Sequence, residues 1–177
     1  MIGKFDENRY KASAHEAGHA FLAKFTGRIV SNIVLNDDGS AITTINWGQY
    51  SPIEAAFRVA PKKILGFKSD WQLYLEVKSS ILVAGPICEL LPKYKWDFGV
   101  NNIAVQASGP DLALLNVMQI TFGLNVQSVM TNIVGMINKI TIPEIKRMAD
   151  FIYANGGAKE SEIDAIYGPL ISRFLKS

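Results

Sequence analysis

The segment His15-Glu16-Ala17-Gly18-His19 holds both histidines of the chain within five residues. On a helix, positions i and i+4 lie one turn apart on the same face, so two imidazoles at this spacing can reach one metal ion. Glu16 follows the first imidazole, where a carboxylate can hold a water on that ion and take its proton. These residue types at this spacing point to a zinc hydrolase, with His15 and His19 as metal ligands and Glu16 as catalytic base. The plain alternative is a polar helix face with an incidental glutamate. Against it, no other histidine exists among the 177 residues to suggest a histidine-rich surface.

A catalytic zinc takes three protein ligands and keeps one position open. With no third histidine and a single cysteine, Cys88, the remaining ligand should be one of the 16 carboxylates. Two positions stand out. Asp111 opens a helix directly after Ser108-Gly109-Pro110, and Glu89 lies in the apolar run Ala84-Gly85-Pro86-Ile87-Cys88-Glu89-Leu90-Leu91. A carboxylate among apolar residues has to be paired or metal-bound if it is buried. Asp111 also fits an ordinary first-turn aspartate favoured by the helix dipole, and Glu89 an ordinary salt-bridged or surface residue. Position alone leaves both open.

The motif needs a rigid element to carry it, and residues 6–26 read as that helix. Asp6 or Asn8 can cap it, Ala14, Gly18, Phe21, Leu22 and Phe25 form its apolar stripe, and Thr26-Gly27 stops it. Two β-rich segments follow, Ile29–Leu35 and Ala41–Trp47, separated by the turn signal Asn36-Asp37-Asp38-Gly39-Ser40. They predict a β-hairpin beside the motif helix. A short helix is expected at Pro52–Val59, then a loop with Pro61, Gly66 and a basic cluster. Asp70 to about Leu91 has helical spacing, interrupted by Gly85-Pro86. Lys93–Gln106 reads as a loop. Helices are then expected over 110–122, 125–139, 142–155 and 159–175, with Ser108 or Gly109 as a cap, Thr141 and Ser161-Glu162 as starts and Asn155-Gly156-Gly157 as a stop.

Composition fits a single domain over 1–177, mainly α in an α+β class, with a small hairpin or sheet next to the motif helix. Hydrophobic residues make up 49% of the chain and charged residues 19%, enough for a sizeable core. The net charge is +2 and no long basic block occurs, which argues against a nucleic-acid partner. A lone cysteine excludes intramolecular disulfides and a cysteine-built zinc site. The charged N-terminal residues lack the apolar core of a signal peptide, and no run approaches the roughly 18 apolar residues of a membrane span. The expectation is a soluble, cytoplasmic protein.

Ser13-Ala14-His15-Glu16-Ala17-Gly18-His19-Ala20 resembles the zinc motif of the peptidase domain of FtsH-type proteases, in which that domain is joined to an AAA ATPase. In that family the motif is followed by a β-hairpin, a helix with a Gly-Gly-Arg-x-Ala-Glu-Glu pattern, a loop, and then Thr-Gly-Ala-x-Asn-Asp-Leu, whose final aspartate is the third zinc ligand. This chain keeps the order over about residues 10–125. Ala84-Gly85-Pro86-Ile87-Cys88-Glu89-Leu90 stands at the first position and Ala107-Ser108-Gly109-Pro110-Asp111-Leu112 at the second. The resemblance implies Asp111 as third ligand, with Glu89 near the ion but not on it. Only one of the paired glycines and one of the paired glutamates are kept, the loop before Asp111 is long, and no ATPase module or membrane helix is expected here.

These features predict a zinc metallopeptidase, an endopeptidase acting on peptides or unfolded protein segments, to which a separate ATPase could deliver substrate. Ile42, Thr43 and Thr44 are the candidate substrate-binding residues, because an edge strand can pair with an extended peptide; an ordinary hairpin is the alternative. Two other function classes stay open: a non-catalytic zinc-binding adaptor with a peptidase-like fold, and a HExxH protease of another family with a glutamate third ligand, such as a repressor-cleaving enzyme. An intact Glu16 argues against the first, and the role of Glu89 discriminates the second.

Overall fold

The computed structural model describes residues 5–46, 70–96 and 110–176. Helix α1 (Glu7–Phe25) leads into strands β1 (Ile29–Leu35) and β2 (Ala41–Asn46), and helix α2 (Asp70–Leu90) ends in a 3-10 turn over Leu91–Tyr94. Helices α3 (Pro110–Phe122), α4 (Val126–Met136) and α5 (Ile142–Asn155), strand β3 (Gly157–Lys159) and helix α6 (Glu160–Lys176) complete the order. The class is α+β and mainly helical, with one antiparallel sheet in the order β2-β1-β3. The short helix expected at 52–59, the last residue of the 41–47 strand and the caps Ser108 and Gly109 lie outside the described residues.

Helix α1 begins where the Asp6 carboxylate accepts from the backbone N–H groups of Asn8 and Arg9, at 3.0 and 3.1 Å. Asn8 is already inside the helix, so Asp6 is the cap. The helix ends at Thr26, whose hydroxyl donates to the Leu22 carbonyl at 2.7 Å, followed by Gly27 at φ 79°. In between, α1 is the central element: α2, α5, α6 and the sheet all pack on it. Ala14, Ala17, Ala20 and Ala23 are fully buried, and these small side chains let the neighbours come close. Gly18 marks the tightest approach. A Cβ there would stand 2.5 Å from the Ala84 carbonyl oxygen and 2.8 Å from Cys88 Sγ, both on α2. The buried Tyr167 hydroxyl of α6 donates to the Ala17 carbonyl at 2.8 Å.

The sheet departs from a plain hairpin in two ways. The register slips between Val30 and Asn32, a bulge that puts Val30, Ile33 and Leu35 on the core side. A third strand, β3, pairs with β1 through Asn32–Lys159, Ile33–Ala158 and Val34–Gly157. The sequence marks Asn155-Gly156-Gly157 only as a helix stop. Gly156 does stop α5, at φ 73°, but Gly157 is already in the strand, pressed against the Ile33 carbonyl where a Cβ would not fit. Three residues are too few to show an alternating pattern, so the strand exists only through its partner.

Three further expectations are adjusted. Helix α2 runs on through Gly85-Pro86: Pro86 forfeits one N–H to the Leu82 carbonyl, and burial of Val83, Ala84 and Ile87 against the core holds the helix together. The chain from Lys93 is not loop at once, because the 3-10 turn extends to Tyr94 before Lys95 and Trp96 take left-handed φ values of 52° and 60°. Helix α4 likewise ends at Met136, short of residue 139, where Thr141 Oγ1 donates to the Met136 carbonyl and accepts from the Asn138 N–H, both at 2.9 Å.

The Gly18 contact sets up a direct test. Alanine raises helix propensity by about 1 kcal/mol over glycine, whereas overpacking a close-packed site costs roughly 1–3 kcal/mol. The obstructing atoms are partly backbone, so the second effect should win. Gly18→Ala is expected to lower the urea midpoint by the equivalent of about 1–2 kcal/mol; a gain in stability would show that α1 and α2 are not held at this distance.

Candidate metal centre

The two motif imidazoles leave α1 on one face and meet α2 and α3. His15 Nε2 and His19 Nε2 lie 2.9 Å apart. Asp111 Oδ2, from the first turn of α3, lies 3.0 Å from His15 Nε2 and 3.2 Å from His19 Nε2. Among the described residues, these three form a group whose ligand atoms all lie within 4.8 Å of one another. Ligands on a tetrahedral zinc, each at about 2.0–2.1 Å, stand roughly 3.3 Å apart. An opening of a few tenths of an ångström would seat an ion.

The outer nitrogens explain why the inner ones converge. His19 Nδ1 lies 2.7 Å from the Ile81 carbonyl oxygen, so Nδ1 carries the hydrogen and Nε2 turns its lone pair inward. His15 Nδ1 lies 3.0 Å from Glu89 Oε2 and donates to it. Each imidazole is thus oriented through its far nitrogen, by a carbonyl in one case and a carboxylate in the other, the usual support for a histidine ligand. The inward atoms are two imidazole nitrogens and a carboxylate oxygen. Such atoms repel one another unless a positive charge stands between them. Gly85 of α2 leaves the space they occupy: a Cβ there would stand 2.5 Å from His19 Cε1, 2.6 Å from His19 Nε2 and 2.7 Å from His15 Nε2. The donor set and the cradle both fit a divalent ion such as zinc.

Charge on the site follows the same geometry. Burial works against a His15 cation, but hydrogen bonds with Asp111 and Glu89, aided by the nearby charges of Glu16 and Asp111, prevail and push its pKa up to about 9. Burial also opposes the Asp111 carboxylate, yet the two imidazoles hold its pKa well below the usual range. The His15 hydrogen bond outweighs burial at Glu89 and lowers that pKa as well. The His15 proton therefore stands between the inward atoms where a metal would stand.

The structure brings His15, His19, Asp111, Glu16 and Glu89 into one neighbourhood. Asp111 faces the inward nitrogens; Glu89 faces the outer nitrogen of His15. Glu16 is 6% exposed, yet it lines two cavities that meet at the site. Strand β2 lies along them. Ile42 and Thr43 line the larger cavity, and the Thr43 hydroxyl donates to the Glu16 carbonyl at 3.4 Å. Thr44 points out to solvent and lines neither cavity. In the described sheet, β2 has β1 on one side only and is an edge strand.

Three contributors escape sequence reasoning. The Ile81 carbonyl is a backbone group and leaves no side-chain signal. Gly85 is visible only as a helix interruption, although a glycine one helical face away from a ligand pair is what a cradle requires. Lys78 lines the larger cavity and is one turn before Ile81 and Leu82. Compared with family models and with curated proteins, the chain matches none.

A metal entering between the inward atoms has to displace the His15 proton. His15 binds that proton up to about pH 9, against an ordinary value of 6.5. The stability it adds to the fold is full below 6.5 and is lost as pH rises through 9. At neutral pH, zinc uptake should release about one proton, read by calorimetry in buffers of different ionisation heat, and the release should fade above pH 9. Uptake without proton release at neutral pH would contradict this arrangement.

Proposed function

We propose that this chain is a zinc-dependent peptidase domain of the FtsH type, cleaving peptides or unfolded protein segments. The observation that carries this reading is the convergence of His15 Nε2, His19 Nε2 and Asp111 Oδ2 on one point beside Glu16. His15, His19 and Asp111 would hold a zinc ion, which would polarise the scissile carbonyl and lower the pKa of water toward neutrality. Glu16 takes the proton of the attacking water on its carboxylate and returns it to the leaving amine. Glu89 and the Ile81 carbonyl hold the imidazoles in place while this happens. The edge of β2, with Ile42 and Thr43 lining the cleft and Thr44 exposed beyond it, pairs with an extended substrate.

An open cleft next to an edge strand accepts extended chain and not a folded domain, so the substrates are peptides, exposed termini or unfolded segments. A separate ATPase would widen that range by delivering unfolded protein. No helix among the described residues is long and apolar enough to cross a membrane. Cytoplasmic action is part of the proposal.

Two measurements test it together. Glu16→Gln should keep zinc and the fold but lower hydrolysis of casein by roughly 100-fold or more, the range for removal of a general base. Asp111→Asn should weaken zinc affinity sharply. Glu89→Gln should cost less, of the order of 10- to 100-fold as for other groups that orient a ligand. Equal activity of Glu16→Gln and wild type would reject the mechanism. The reverse ranking of the two carboxylates in a zinc titration would favour a glutamate-ligated centre.

A further inference from the structure

The cleft beside the imidazoles carries opposite charges at its two ends. Its two cavities share His15, Glu16 and Ala41, so they meet at the reacting point. Glu89 of α2 lines only the smaller, about 320 Å³, and Lys78 of the same helix lines only the larger, about 530 Å³. β2 follows the same course, from Ala41 at the junction to Ile45, which lines the larger cavity alone. A chain laid along β2 therefore passes from the Glu89 end to the Lys78 end. Among the described residues that line the larger cavity, Lys78 is the one lysine or arginine, and the carboxylates there, Glu16 and Asp111, belong to the metal centre. At the other end, Lys11 stands 2.8 Å from Glu7 and Glu89 3.0 Å from His15.

We propose that Lys78 binds a carboxylate of the substrate about three residues from the scissile bond, supplied by an acidic side chain or by the chain terminus. This rests on the peptidase reading and names its substrate class. Spacing along α2 sets the distance. A Cβ at Gly85 would stand 2.6 Å from His19 Nε2 and 2.7 Å from His15 Nε2, so Gly85 is level with the point where an ion would sit. Lys78 lies about two turns earlier on the same face of α2, roughly 10 Å along the axis. An extended peptide covers that length in about three residues. The surroundings set the chemistry. Lys78 is partly buried and shares the cavity with Ile45, Ile81 and Leu82. Charges attract more strongly beside such apolar groups than in open water. An ammonium has three donors, so a contact that Lys78 already makes does not use up its capacity. A basic residue at the same point of the substrate would meet repulsion.

The probes are glycine-serine decapeptides with one central glutamate, or glutamine in its place, each with a free or an amidated C-terminus. Zinc-loaded protein is incubated with each and the cuts are mapped by mass spectrometry. Cuts are expected about three residues from the glutamate if a side chain is read, and about three residues before a free C-terminus, but not an amidated one, if the terminus is read. Binding to the zinc-loaded Glu16→Gln variant gives a readout independent of turnover. The carboxylate peptide should bind about 10- to 100-fold more tightly than its glutamine or amide counterpart, and the difference should shrink as salt is raised. In that background Lys78→Met should remove the difference, Lys78→Arg should keep it, and Lys78→Glu should shift the preference to a peptide with a central lysine. Zinc uptake by each variant reports that the fold is intact. Equal binding of carboxylate and neutral peptides would overturn the proposal. So would a carboxylate preference that survives Lys78→Met, because the carboxylate would then sit on the ion. Carboxylate-dependent binding that needs Lys78, without cleavage by the wild type, would uphold the carboxylate site and reject hydrolysis. Cleavage indifferent to carboxylates would do the opposite.

Discussion

Helices α1 and α2 meet through glycines, and the site depends on that contact. Gly18 on α1 lets the Ala84 carbonyl and Cys88 of α2 come within van der Waals range, and Gly85 on α2 leaves space for the two imidazoles of α1. One close crossing therefore does two jobs. It brings the Ile81 carbonyl to His19 Nδ1 and the Glu89 carboxylate to His15 Nδ1, at 2.7 and 3.0 Å. A side chain at either glycine would separate the helices or push the imidazoles aside. The buried alanines of α1 and the Tyr167 hydroxyl bonded to its backbone keep the helix from shifting to relieve the contact.

Held in this way, the site gathers more negative and lone-pair density than its own hydrogens can satisfy. His19 donates from Nδ1 to the Ile81 carbonyl. His15 divides its donors between Glu89 and Asp111, which is why it keeps a proton up to about pH 9. A divalent cation answers the same demand with more charge. Asp111 reaches the two imidazoles from the first turn of α3, so its carboxylate comes from a separate element that must dock before the three groups converge. Cys88 plays no part in this: it is fully buried behind Gly18, and burial raises the pKa of its thiol, leaving an inert packing group.

Much of this was legible in the sequence because it lies in local spacing. The i, i+4 histidines, the Asp6 cap, the Asn36–Ser40 turn and the β-branched run of β1 each announce themselves within a few residues. What was not legible depends on contacts between distant segments. Position alone could not choose between Glu89 and Asp111, since each carboxylate also has an ordinary local reading; only the packing of α2 and α3 puts one on the outer nitrogen and the other on the inner pair. Strand β3 is three residues long and is defined by β1. The Gly85 cradle looks like a breaker in sequence and is a space in three dimensions.

Diffraction at the zinc absorption edge, from crystals grown with zinc, tests the site most directly. A zinc peptidase centre requires one anomalous peak bounded by His15 Nε2, His19 Nε2 and an Asp111 carboxylate oxygen, each at about 2.0–2.2 Å, with Glu89 still on His15 Nδ1. Absence of a peak there, or a peak held by Glu89 in place of Asp111, would contradict it.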